Sequence, residues 1–376
     1  MKRIGIATFN RTHNYGSLLQ SYALQKVLET RYDSKVEFIN FSNDEQREMY
    51  AYLNRINSIK NIVKNSIILM NKTITKTHFE DFNDFQSKHL HSSLGDFHTE
   101  NEVKDLNYDI VISGSDQVWN TKARDFDDFY FLGFLKNIRK VAYACSLGGT
   151  NFVTSIENPN KYLNLLNQYS AISVRERNSQ QWLDSELDKK IEIMPDPTLL
   201  IDKEGYSDID LFDKEKIFKG DYIHYYGFKY DHSINMKVKE LGEKLGLPVV
   251  VVDGRKYALY NLKKYGFKVS PHGGPSAFIN LMKNCTVSVT QSFHGTIFSM
   301  IFEKPFFYMR VPNVSSDDDR ASFLLEQTGL LDQSKPFTKI VEESDDLFGI
   351  NYPSVKNRIK EMQSRADTFI REKIID

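Results

Sequence analysis

Short apolar runs alternate along the chain with segments whose apolar residues recur at helical spacing. Arg3-Ile4-Gly5-Ile6-Ala7-Thr8 reads as a buried strand, Asn10 to Asn14 as a polar turn, and Leu19, Tyr22, Ala23 and Val27 as one face of a helix. A strand over Lys35 to Asn40 completes a β-α-β unit. Residues 44 to 90 read mainly as helices rich in charges and amides. Strands return at Tyr108 to Ser113, Lys140 to Ala144, Ala171 to Val174 and Ile191 to Met194. Strands alternating with helices specify a parallel sheet covered on both faces.

Pro195-Asp196-Pro197 and the polar segment 202 to 217 then interrupt the pattern, which suggests a domain boundary. A second α/β unit follows: a strand at Tyr222 to Tyr226, a helix over 232 to 245, and a strand at Pro248 to Val252. Next come a helix bearing Phe278, Leu281, Met282 and Cys285, and a strand at Thr286 to Thr290. The expected organisation is α/β with two Rossmann-like domains, an N-terminal one over 1–205 and a C-terminal one over 215–350. A helix over 352–376 is expected to pack back on the first.

Composition agrees with a folded chain of two cores: 376 residues, 40% hydrophobic, with 26 Phe and 20 Tyr. The 49 basic and 50 acidic residues leave no excess charge for extended nucleic-acid binding. Cys145 and Cys285 stand far apart without a CxxC pair, which disfavours a disulfide framework or zinc cluster and fits a reducing compartment. The N-terminal apolar run breaks at Thr8 and Asn10, too soon for a signal-peptide core, and no apolar stretch is long enough to span a bilayer. A soluble, cytoplasmic protein is expected, with contact at the inner face of a membrane left open through a membrane-bound substrate.

In open α/β sheets ligands collect beyond the C-terminal ends of strands, so the corners there have first claim on function. At Ser292-Phe293-His294-Gly295-Thr296 a strand turns into the apolar helical run Ile297 to Phe302. Uncovered N–H groups and the helix dipole there suit an anion, with His294 beside it as a proton donor. The same residues also suit an N-cap, a tight turn and a structural histidine. Asn14-Tyr15-Gly16-Ser17 offers polar groups at a helix start, for a sugar, a phosphate or simple capping. Asp116, Gln117 and Trp119 could bind sugar hydroxyls and a ring face, or form a turn with the indole in the core. Arg175 suits a carboxylate or phosphate clamp, with a solvated ion-pair face shared by Glu176 and Arg177 as the competing reading. Lys304, Arg310 and Arg320 could add positive charge near the second-domain corner.

Other signals point away from familiar sites. Asp317-Asp318-Asp319 reads as a solvated loop, and His89, His91 and His98 lack a zinc spacing. His272-Gly273-Gly274-Pro275 reads as a turn into a helix. There is no GxGxxG fingerprint and no GxxxxGK[ST] loop.

Taken together, the corners resemble the polysaccharide pyruvyl transferase family. The matching blocks begin with Thr8 and Asn14-Tyr15-Gly16-Ser17-Leu18-Leu19-Gln20-Ser21-Tyr22-Ala23-Leu24, then Gly114-Ser115-Asp116-Gln117-Val118-Trp119-Asn120 and Tyr143-Ala144-Cys145-Ser146-Leu147-Gly148. They continue through Ser173-Val174-Arg175-Glu176, Asp196-Pro197-Thr198-Leu199-Leu200, and Ser292-Phe293-His294-Gly295-Thr296 to Lys304-Pro305-Phe306.

The resemblance implies a fold similar to the glycosyltransferase B type, with a cleft between the domains. It implies transfer of the enolpyruvyl group of phosphoenolpyruvate onto two hydroxyls of a sugar in a cell-surface polysaccharide or its precursor, which includes a lipid-linked glycan. The products are a pyruvate ketal and phosphate. His294 and Asp116 are then the expected acid and base, with hydrogen bonding to the departing phosphate as the other role open to His294. Arg175, Ser292, Phe293, Gly295, Thr296 and Arg320 are expected at the donor, and Asn14, Tyr15, Gly16, Gln117 and Trp119 at the acceptor. No metal or other cofactor is expected. The competing expectations are a nucleotide-sugar glycosyltransferase of the same architecture and a non-catalytic glycan-binding relative.

Overall fold

The computed structural model describes residues 1–93, 95–103, 106–210, 215–312 and 318–376. The first sheet comprises β1 (Arg3–Ala7), β2 (Lys35–Phe38), β3 (Ile110–Ser113), β4 (Arg139–Cys145), β5 (Ala171–Val174) and β6 (Ile191–Ile193). All its pairings are parallel, in the order β2-β1-β3-β4-β5-β6. The second comprises β7 (Ile223–Tyr226), β8 (Val249–Val251), β9 (Lys268–Val269), β10 (Val287–Thr290), β11 (Phe306–Arg310) and β12 (Ser334–Pro336), also parallel, in the order β12-β11-β10-β7-β8-β9. These are the two α/β sheets that the alternating pattern predicts. β9, β11 and β12 were not expected: β9 has two residues and β12 three, too few to show a period, and β11 directly follows a loop proline, Pro305.

Helices of the first half are α1 (Tyr15–Tyr32), α2 (Asp44–Tyr50), α3 (Ile59–Met70), α4 (Lys72–His89), α5 (Phe152–Ser155), α6 (Pro159–Leu166) and α7 (Arg177–Asp184). Those of the second are α8 (His232–Leu245), α9 (Gly254–Leu259), α10 (Gly274–Asn284), α11 (Phe293–Ile301) and α12 (Arg320–Thr328). The last, α13 (Tyr352–Ile370), returns to the first sheet. Phe369 meets the ring of Tyr143, Gln363 donates to the Leu199 carbonyl, and Tyr32 donates to Asp367.

One apolar core joins the halves. Leu18, Leu19 and Tyr22 of α1 share it with Phe278, Leu281 and Met282 of α10, and the Tyr15 ring lies against those of Tyr226 and Phe278. Because α1 is buried along most of its length, its N-terminus is held at a defined place between the two sheets.

Candidate active site

In each sheet, strand order reverses between two central neighbours, β1 and β3 in the first and β7 and β10 in the second. Crevices open at such points because the connections leave in opposite directions. A cavity of about 210 Å³ is lined from both. Asn14, Asp116 and Gln117 come from the first reversal, and Gly227, Gln291, Ser292, Phe293 and His294 from the second. Lys256, Tyr226, Tyr308, Asp318 and Arg320 complete most of its wall.

Local sequence makes each corner. Asn14 caps α1, its Oδ1 accepting from the N–H groups of Gly16 (2.9 Å) and Ser17 (3.3 Å). Ser292 caps α11 by accepting from the Gly295 N–H, and the Ser292 N–H itself turns to Thr290 Oγ1. Among the described residues, this leaves the N–H groups of Phe293 and His294 as unmatched donors at the start of α11. Gly295 is required by crowding: a Cβ there would lie 2.0 Å from Thr290 Oγ1.

His294 crosses from the second half to the first. Its ring lies on Gly16, where a Cβ would come within 2.0 Å of Nδ1, and its Nε2 is 3.4 Å from Asp196 Oδ2. That separation is an ion-pair distance without hydrogen-bond alignment. Behind it runs a buried charge chain. Arg175 reaches Asp196 (Nη1, 2.5 Å) and Asp116 (Nη2, 3.1 Å), while Ser17 Oγ donates to Asp116 Oδ2 at 2.5 Å.

Burial alone would raise both carboxyls, yet each is held below its ordinary value. His294 and then Arg175 outweigh burial at Asp196, and Arg175 and then His294 do so at Asp116. Both carboxyls are therefore held in the charged form, with Asp196 at ion-pair distance from the imidazole. Arg320 is gripped by Asp318 through Nε (2.7 Å) and Nη2 (2.6 Å). With the amide oxygen of Gln117 turned toward it, Gln117 accepts from Arg320 Nη1 at 2.8 Å.

Glu176 behaves oppositely. Fully buried, with Oε1 accepting from the Leu147 N–H and from Ser179, it is pushed up to about 7, burial outweighing the nearby Arg175. Between its ordinary 4.5 and about 7 the folded state then binds more protons than the unfolded chain, so stability falls as pH rises through that window. Glu176→Gln is expected to remove this slope and to gain about 3 kcal/mol relative to wild type on going from pH ~4 to pH ~8. Urea denaturation at both pH values measures the difference, and parallel shifts of the two proteins would overturn it.

Of the residues singled out in the sequence, His294, Asp116, Gln117, Asn14, Ser292, Phe293 and Arg320 line the cavity together. Others do not. Arg175 is corrected from ligand clamp to internal counter-ion: its side chain has no exposure, and both ends of its guanidinium are spent on Asp196 and Asp116. Trp119 is corrected from sugar platform to core. It is fully buried, stacked on Phe131, and its Nε1 donates to the Tyr130 carbonyl. Thr296 is also buried, its hydroxyl donating to the Ser292 carbonyl within the helix. Gly16 and Gly295 serve close packing, and Tyr15 donates to the Val252 carbonyl beside a neighbouring cavity.

Neither Lys304 nor Arg310 lines the wall. The acidic triplet begins at Asp317, outside the described residues, and Asp318 serves as the partner of Arg320. His91 and His98 each meet a different carboxylate, Glu29 and Asp44. Among the described residues no group of His, Cys, Asp or Glu could hold a metal ion.

Asp196, Ser17 and Lys256 were missed as site residues. Asp196 carried a usable signal, since it follows β6 as the other loaded corners follow their strands, but its two prolines read as a boundary. Lys256 lies within a short helix and carried none.

The fold is that of a two-domain α/β protein of the glycosyltransferase B type, with a cavity lined from both halves. Its sequence from residue 14 to residue 312 matches the polysaccharide pyruvyl transferase family, and the chain belongs to that family. No curated protein matches it by sequence. Among solved structures it is similar to S. aureus MnaA with UDP, at 12% identity and TM-score 0.53, covering 99% of this chain and 96% of that one. It is also similar to Anabaena Alr3699/HepE with UDP-glucose (11%, TM-score 0.52, 98% and 99% covered). A third similar fold is Methanocaldococcus jannaschii UDP-GlcNAc 2-epimerase with UDP-GlcNAc and UDP (12%, 0.50, 98% and 99%). At these identities the likeness concerns the fold. Family membership supports a polysaccharide pyruvyltransferase with a sugar acceptor. Among the described residues no helix is long and apolar enough to cross a membrane.

Proposed function

We propose that the chain transfers the enolpyruvyl group of phosphoenolpyruvate to two hydroxyls of a sugar, closing a pyruvate ketal. One observation carries this reading: His294 stands in a cavity that also holds Arg320, Lys256 and the N-terminus of α11, with Asp196 behind the imidazole. Phosphoenolpyruvate presents a phosphate and a carboxylate, for which a guanidinium, an ammonium and helix N–H groups are the fitting partners.

His294 donates its proton to the methylene carbon, leaving a methyl group and an electron-poor C2. One sugar hydroxyl adds to C2 and its proton returns to the imidazole. The C2–O bond to phosphate then breaks, with its electron pair leaving on phosphate. The second hydroxyl closes the ketal, and its proton is carried off on phosphate. Asp116, held below its ordinary value by Arg175, is a poor base and acts as a hydrogen-bond acceptor and counter-charge.

The acceptor enters through an adjoining cavity of about 380 Å³, which shares Asn14 and Lys256 with the donor cavity. His13, Tyr50, Tyr52, Phe79 and Tyr260 give it the aromatic faces that sugar rings pack on.

Incubation with phosphoenolpyruvate and a panel of sugar diols is expected to release phosphate and yield a ketal detectable by mass. In a thermal-shift comparison phosphoenolpyruvate should protect more than UDP-glucose. Protection by UDP-glucose alone, with no pyruvylated product, would favour a nucleotide-sugar transferase instead.

A further inference from the structure

Large hydrophobic side chains exposed to solvent are concentrated in one segment of this molecule. Among the described residues twelve are exposed, and seven of them fall between Leu53 and Met70. On α3 the exposed ones are Ile59, Ile62, Val63, Leu69 and Met70, a spacing that places them on a single helical stripe. Ile59 is 81% and Met70 77% exposed, so the stripe is uncovered rather than shallowly packed. The opposite face of α3, with Asn65 and Ile68, is the one that packs on α4 and α9. An amphipathic helix turned with its apolar side outward requires an apolar medium there.

Charge identifies the medium. Between Glu48 and Glu80 there is no acidic residue, whereas Arg55, Lys60, Lys64, Lys72 and Lys76 supply five cations. Lys60 and Lys64 flank the apolar stripe within α3 itself. A second copy seated on this face would set two such cationic segments against each other. A nucleic acid would match the charge and leave the isoleucines unburied. An apolar stripe bordered by lysines matches the headgroup region of an anionic bilayer, where the stripe reaches the acyl boundary and the ammonium groups stay among phosphates.

We propose that α3 docks the protein on an anionic lipid bilayer. Placement adds a consequence for substrate delivery. Ile68, on the inner face of α3, and Thr75 of α4 wall the aromatic cavity assigned above to the acceptor. A sugar carried on a lipid would thus meet that cavity at the docking helix. The docking itself does not depend on pyruvyl transfer, because vesicle binding is measured without either substrate.

The test is sedimentation of the full chain with vesicles of equal parts phosphatidylglycerol and phosphatidylcholine, and with phosphatidylcholine alone. Binding to the anionic vesicles that weakens at high salt is expected. The variant Ile59→Ser/Ile62→Ser/Met70→Ser should bind at least about tenfold more weakly. Lys60→Gln/Lys64→Gln/Lys72→Gln should lose its preference for the anionic vesicles. All six positions lie outside the cavity walls, so turnover on a soluble acceptor should be unchanged. Failure to bind anionic vesicles, or equal binding by the serine variant, would overturn the proposal. So would a dimer in solution that the serine substitutions dissociate, since a second copy would then own the face.

Discussion

His294→Ala is expected to lower turnover by about 10²–10⁴-fold, the range of a positioned general acid. The fold should survive, because Asp196 keeps Arg175 at 2.5 Å and the hydroxyl of Thr198 at 2.6 Å after the imidazole is gone. The stability cost is then about 1 kcal/mol, that of one lost polar contact. Steady-state kinetics distinguish two ways in which the imidazole could serve. A proton donor shows its loss in kcat and in the pH profile of kcat. A ligand that only holds phosphate shows it in KM, and His294→Gln, which can still donate a hydrogen bond, should then recover much of the activity. Near-normal kcat/KM in His294→Ala would overturn both roles.

Gly16→Ala is expected to be nearly as damaging, although residue 16 carries no functional group. The added methyl would fall 2.0 Å from His294 Nδ1 and 2.4 Å from Cγ. These are atoms near the root of the imidazole, so a small turn of the ring does not clear them. Either His294 leaves its rotamer or the two halves of the molecule part. Displacing a reacting group by about 1 Å costs on the order of 10²-fold in rate, and overpacking a tight contact about 1–3 kcal/mol. Because both penalties run through one contact, they should not add to those of His294→Ala. In the His294→Ala background the Gly16→Ala change should be close to neutral in stability and in residual turnover. Full activity in the single Gly16→Ala variant would show that the ring is not held by this contact.

Trp119 and Arg175 illustrate how much of the site was legible in the chain. Both follow strands of the first sheet and have side chains suited to binding, so the strand-end rule selected them. Burial decided otherwise, because Phe131 and the Tyr130 carbonyl satisfy the indole, and Asp196 with Asp116 engages both terminal nitrogens of the guanidinium. A side chain with its polar groups paired inside the protein gains nothing by turning outward. At Asp116 and Gln117 and in Ser292 to His294 the strand ends do open onto a cavity. The rule passed over Asp196, whose flanking prolines gave a stronger local signal of a boundary.

The sequence by itself determined the alternation of strands and helices, the two parallel sheets and the corners at which chemistry would stand, because these depend on residues close to one another along the chain. Six blocks in order also tied it to one family. Only the tertiary structure decided which corner faces which. It put His294 on Gly16 and against Asp196, buried Arg175 as their counter-ion, and turned the apolar side of α3 to the outside. The period of a helix marks an apolar face without saying what covers it, and an ion pair forms wherever folding brings opposite charges within about 4 Å.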